Sequence, residues 1–155
     1  MIEPVRKSVT VKATQEQAFR VFTEGFDTWW PREHHIGKSP MKRAIIEGRL
    51  GGRLYSEQVD GTDCPWGSIT VWEPPQRFAF AWLINATWQF EPDMSIAREV
   101  EVTFTPAGED STVVELVHGK FERMPGNDGA TMRGHVGGEM GWTGLMEMYK
   151  ARVDA

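Results

Sequence analysis

Four histidines and a single cysteine carry the most versatile side-chain chemistry in this 155-residue sequence. His34 and His35 are adjacent, and neighbours in sequence rarely point to one metal centre; no nearby carboxylate or cysteine pattern completes a ligand set. Neither a metal nor a cofactor is expected. Cys64 stands beside Pro65, and a reactive thiol there would need a lowered pKa, whereas Asp60 and Asp63 tend to raise it. His118 is different. It ends the run Thr112-x-Val114-x-Leu116-x-His118, whose alternation puts the imidazole on an apolar strand face. A neutral imidazole can donate one hydrogen bond to a ligand while its other nitrogen pairs with protein. It can equally be a satisfied core or rim histidine. Glu115 and His135 share no evident task with it. The sequence contains no Gly-x-Gly-x-x-Gly, phosphate-binding loop, His-Glu-x-x-His or nucleophile elbow. Gly137-Gly138-x-x-Gly141 lacks a following lysine-serine or lysine-threonine pair. No catalytic residue is assigned.

The elements that must position these residues are legible from periodicity. Residues 5–12 alternate with Val5, Val9 and Val11 on one face, as in a strand with one wet side. Thr14 and Gln17 fit a capping box opening a helix that carries Ala18, Val21 and Phe22 on one side. Phe26, Trp29 and Trp30 lead into Pro31, which ends a second short helix. Strands are expected over 43–50 and 53–59, hinged at Gly51-Gly52, then over 66–72 and 77–84 around the Pro74-Pro75 break. In the latter run Phe78, Phe80, Trp82 and Ile84 share a face. Residues 98–105 alternate most clearly, with Val100, Val102 and Phe104 opposed by Glu99, Glu101, Thr103 and Thr105, and 112–118 is the next strand. Successive strands with short turns favour an antiparallel meander.

The last element, 131–152, reads as one helix despite Gly134, Gly137, Gly138, Gly141 and Gly144. Each interior glycine costs about 1 kcal/mol against alanine. The wide apolar face of Val136, Met140, Trp142, Leu145, Met146, Met148 and Tyr149, beside a polar stripe of Glu139, Thr143, Glu147 and Lys150, nevertheless demands burial. Gly137, Gly141 and Gly144 either let the sheet approach closely or leave space for a guest.

Composition narrows the function classes. The net charge of −5, from 22 acidic and 17 basic residues spread along the chain, disfavours a nucleic-acid or anionic-membrane surface. Cys64 cannot form an intrachain disulfide, no stretch approaches a spanning helix, and the N-terminus lacks signal-peptide character, so a cytoplasmic location and no membrane insertion are expected. Seven tryptophans and eight methionines in one domain, 1–155, build either a filled core or a lined cavity.

Together the motifs resemble the START/Bet v 1-like (SRPBCC) superfamily, and within it the bacterial relatives of the C-terminal domain of the Hsp90 ATPase activator. The residues carrying the resemblance are Trp29-Trp30-Pro31, Gly51-Gly52-Arg53, Gly67-x-Ile69, Pro74-Pro75-x-x-Phe78-x-Phe80-x-Trp82, the Thr112 to His118 run and Gly141-Trp142-x-x-Leu145. The resemblance implies an α+β helix-grip fold: a curved antiparallel sheet around a long C-terminal helix, closed at one end by two short helices. It also implies relatives that bind lipids, hormones or polyketide-like molecules. The eukaryotic activator engages Hsp90 with an additional N-terminal domain, and Hsp90 is not an expected partner here.

The leading expectation is non-catalytic binding of a small hydrophobic or aromatic molecule between sheet and helix, lined by Trp72, Phe80, Trp82, Phe104, Val114, His118, Trp142 and Met146. The enzyme alternative is a cyclase-like or hydrolytic catalyst in the same cavity, with His118 as general acid or base. A third reading is protein interaction through an exposed patch of Trp29, Trp30 or Trp66. Homodimerisation is compatible with the sequence, which holds no feature that determines it.

Overall fold

The computed structural model describes residues 2–34, 37–139 and 141–155. His35 and Met140 therefore lie outside the described residues. Strand β1 (Val5–Val11) is followed by α1 (Gln15–Thr23) and α2 (Phe26–Trp29). Six strands come next: β2 (Met41–Ile46), β3 (Arg53–Gln58), β4 (Asp63–Glu73), β5 (Arg77–Trp82), β6 (Arg98–Gly108) and β7 (Ser111–Gly119). A 3-10 turn (Phe121–Arg123) leads to α3 (Asp128–Val136) and α4 (Trp142–Asp154). The strands form one seven-stranded sheet in the order β1-β7-β6-β5-β4-β3-β2, antiparallel throughout. This is the α+β helix-grip arrangement.

Local chemistry explains the elements. Thr14 Oγ1 accepts from Gln17 N–H at 3.2 Å while Gln17 Oε1 accepts from Thr14 N–H at 3.2 Å, the reciprocal pair of a capping box. Val114, Leu116 and His118 of β7 are all fully buried, and β5 buries Phe78, Phe80 and Trp82 on the same concave face. On the other side of β5, Ala81 packs with Leu83 and Ala97 in a small second cluster, as the nearly continuous apolar run requires. Helix α1 drops Phe19 and Phe22 into the sheet. Phe22 meets Phe78, Phe104 and Tyr149 with ring centroids 5.5, 5.9 and 4.9 Å away. Tyr149 Oη donates to Ala18 O at 2.7 Å, tying α4 to α1.

Three expectations need correction. Strand β2 stops at Ile46, and the hinge is a longer turn in which Gly51 takes φ 79° and a Cβ on Gly52 would lie 2.2 Å from Glu47 O. The C-terminal helix is not continuous: α3 begins earlier than expected and ends at Val136, and α4 restarts at Trp142. Gly141 at φ −109°, ψ −137° is outside helical space, and a Cβ there would lie 2.2 Å from Val136 O. A Cβ on Gly144 would meet Glu139 O at 2.2 Å. These glycines let the chain fold tightly back on itself between two helices; only Gly137, whose Cβ would sit 3.3 Å from Val5 Cγ2, brings helix against sheet. Met148, expected on the buried face, is 43% exposed.

Candidate functional site

The break between α3 and α4 opens a cavity of about 390 Å³ at the end of the sheet where β4 and β5 meet the long connection over residues 83–97. Its walls come from four separate stretches of the chain, 30–34, 66, 82–88 and 135–145. Trp30 follows α2 and stacks on Trp66 of β4 at 5.4 Å and 15°. Trp82 and Ile84 come from β5 and the residues just after it, Trp88 from the connection, Val136 from α3, and Trp142 and Leu145 from α4. Glu33, His34 and His135 are the ionisable lining residues. The lining is dominated by aromatic surface.

Trp88 is held by a local turn. Asn85 Oδ1 accepts from Thr87 N–H and Gln89 N–H, each at 3.0 Å, and Trp88 itself takes φ 60°, uncommon for a bulky side chain. Its ring stands 5.7 Å from that of His135. The sequence signal for this wall is weak, because Trp88 lies in a polar segment with no periodicity.

Of the residues expected to line a cavity, Trp82 and Trp142 do so. Phe80 is one layer in, 5.9 Å from Trp66, and Met146 is buried in the core. Trp72 and Phe104 are not brought to the cavity: they surround Phe19, with centroids 5.2 and 5.0 Å away, beneath α1. Val114 is opposite Phe104 in the β6–β7 register and belongs to that same packed end. Strand parity is correct for all three. The physical reason for the difference is that parity selects a face, while α1 fills one end of that face and leaves the other open. Trp29, Trp30 and Trp66 are 5–6% exposed, so they form no surface patch.

His118 is directly behind the cavity wall. Its ring is fully buried between Trp82 and Phe121, with centroids 4.9 and 4.8 Å away. Trp142 Nε1 donates to His118 Nδ1 at 2.9 Å, which leaves the ring proton on Nε2. Burial, reinforced by the positive charge of Arg98, pushes its pKa down to about 3. The imidazole is therefore neutral at physiological pH and equipped to donate a hydrogen bond, whereas a general base working near pH 7 needs a much higher pKa. Arg98 is also fully buried, donating to Ile84 O and, at 2.5 Å, to Ile96 O. Desolvation lowers its pKa to about 10, with Glu91 opposing, so it remains a cation.

The other reactive groups are less promising. Burial raises the Cys64 pKa, so the thiol form is favoured by desolvation instead of by the neighbouring aspartates. Among the described residues no three His, Cys, Asp or Glu side chains are placed to hold a metal ion, and no helix is long and apolar enough to cross a membrane.

Comparison with known proteins supplies the relatives of this arrangement. A solved structure of an anthrahydroquino-γ-pyrone synthase, Txn09, is 37% identical, covers 97% of this chain and 96% of its own, and superposes with a TM-score of 0.67. CalC from Micromonospora echinospora, a self-sacrificing resistance protein, is 27% identical over 98% of this chain and 94% of its own, with a TM-score of 0.70. NE0264 from Nitrosomonas europaea shares the fold at 13% identity, covering 97% and 94%, with a TM-score of 0.65. No functionally curated protein matches the sequence. The family model described as activator of Hsp90 ATPase homolog 1-like protein matches residues 12–152, and with that span the chain belongs to this family.

Proposed function

We propose that this protein binds a planar, fused-ring aromatic molecule of the quinone or polyketide class in the cavity between the sheet and α4. The observation carrying this reading is the aromatic wall of Trp30, Trp66, Trp82, Trp88 and Trp142 around a space of about 390 Å³. That volume lies in the range of small-molecule pockets, which are lined mainly by apolar and aromatic groups. Removing about 300 Å² of aromatic surface from water contributes roughly 7 kcal/mol, before association costs and the gain from ring-ring contacts. An affinity on the order of 10 μM is the expected scale.

Titration with anthraquinone-2-sulfonate, followed by quenching of tryptophan fluorescence and by calorimetry, tests the reading. Saturable one-to-one binding that weakens at least tenfold in Trp66→Ala supports it. Absence of saturable binding to any two- to four-ring aromatic at 1 mM would refute it.

The identity to a γ-pyrone synthase favours a second reading, in which the same cavity promotes ring closure of a polyketide-derived aromatic. Here the protein would contribute chiefly by holding a flexible side arm against the ring system, since orientation alone can supply much of the rate of an intramolecular step. The fully buried His118 would act as a donor to a developing oxyanion, not as the base. Incubation with an anthrahydroquinone bearing an uncyclised diketone arm, monitored by mass-coupled chromatography, separates the readings. Tight binding with no product above the uncatalysed background would exclude catalysis of this closure.

A further inference from the structure

Among the described residues, three N–H donors have no acceptor and no solvent contact, Trp82 Nε1 in the cavity wall and Arg98 Nε and His118 Nε2 behind it. Trp82 is the register partner of Arg98, and Val100, next on the same face, is the partner of His118. The three side chains therefore rise from adjacent strands on the concave face. The Arg98 guanidinium binds two neutral carbonyls, of Ile84 and Ile96, and the one carboxylate whose field reaches it, Glu91, forms no ion pair with it among the described residues. The corner thus offers donors and positive charge, with no acceptor of its own left over once Trp142 has taken His118 Nδ1.

We propose that this corner is a recognition site for one oxygen of the aromatic guest, a carbonyl or, with greater affinity, a phenolate or enolate, which accepts from His118 Nε2–H and Trp82 Nε1–H in the field of Arg98. The inference rests on the cavity being the binding site. Because the donors are out of solvent, the oxygen reaches them by a shift of the Trp82 ring, with the Trp142–His118 hydrogen bond kept. A buried cation next to two neutral donors stabilises an oxyanion far more than a neutral hydroxyl, since ionised partners make the stronger hydrogen bonds. The site therefore selects ring systems with an acidic phenol or enol at one edge, oriented with that edge inward.

The test compares 2-hydroxyanthraquinone, whose two ionisation states differ in colour, with 2-methylanthraquinone, which has nearly the same shape. The expected result is that the hydroxy compound binds the wild-type protein about tenfold more tightly at pH 8, with the pKa of the bound phenol lowered by about one, since one pH unit corresponds to a tenfold preference for the ionised form. The Trp82 indole N–H resonance moves downfield only with the hydroxy compound. In Trp82→Phe and His118→Leu the tenfold preference falls to about threefold or less, and a cooperative urea transition confirms that the variants are folded. Equal affinity for both compounds, or a bound phenol with an unchanged or raised pKa, overturns the acceptor site and leaves cavity binding standing. Failure of both compounds to bind overturns the cavity reading and this inference with it. The wild-type measurements alone decide between these outcomes if a variant does not fold.

Discussion

Acidification from pH 7 to pH 5 should destabilise this protein through one side chain, His118. Its ring is fully buried, its Nδ1 is committed to Trp142, and its pKa in the folded chain is about 3. In the unfolded chain the same imidazole titrates near pH 6.5. Because the folded value is the lower one, the unfolded state takes up the proton first as pH falls. The stabilisation from keeping His118 neutral is complete above about pH 6.5 and is lost progressively towards the folded pKa. At pH 5 the loss is about 2 kcal/mol, from 1.36 kcal/mol per pH unit over about 1.5 units. With a urea dependence of about 2 kcal/mol per molar, the unfolding midpoint falls by about 1 M. The carboxyl of Asp154, held below its usual range by hydrogen bonds from Lys150 and the Lys12 N–H, contributes only below about pH 4, outside this window. His118→Gln retains an acceptor for Trp142 Nε1 and cannot be protonated, so its midpoint should be nearly flat between pH 7 and 5. A wild-type midpoint that does not move, or a His118→Gln protein with the same slope, would refute the reasoning.

Other perturbations address separate links. Tyr149→Phe removes the hydroxyl that donates to Ala18 O at 2.7 Å and should cost about 1 kcal/mol in denaturant unfolding. Gly134→Ala and Gly144→Ala should have opposite signs in the same assay. At Gly134, exposed within α3 with nothing within 4 Å of a new Cβ, alanine should stabilise by about 0.5–1 kcal/mol. At Gly144 a Cβ would lie 2.2 Å from Glu139 O, and the displacement of backbone should outweigh helix propensity, for a net loss of about 1–3 kcal/mol. If both alanines stabilise, the tight return between α3 and α4 is wrong.

Much of this architecture is legible in the residues because it is periodic. The alternation of β6 and β7, the capping box at Thr14 and the inward direction of His118 all follow from two-residue or helical spacing and appear as expected. The break between Val136 and Trp142 is not legible in that way. The apolar pattern of 131–152 is continuous in helical phase, so periodicity argues for one helix; the glycines that oppose it are a propensity term of about 1 kcal/mol each. What separates the two outcomes is the close approach of Gly141 and Gly144 to carbonyls of the preceding turn, which exists only once the chain has folded back.

The sequence alone determined which strand faces turn inward, since a shift of one residue would expose the whole of β5 or β7, and it determined the antiparallel meander of β2 to β7, since no connection among them holds a crossover helix, but not the pairing of β1 with β7. Only the tertiary structure decided where on that inward face a cavity opens. Trp72, Phe104 and Val114 share their face with Trp82 and His118, yet α1 plugs their end with Phe19 and Phe22, while the other end is bounded by Trp30, Trp66, Trp88 and Trp142 from four distant segments. A face is a local property of a strand. A cavity is the space that several separately placed side chains leave between them, and no single segment of the chain carries that information.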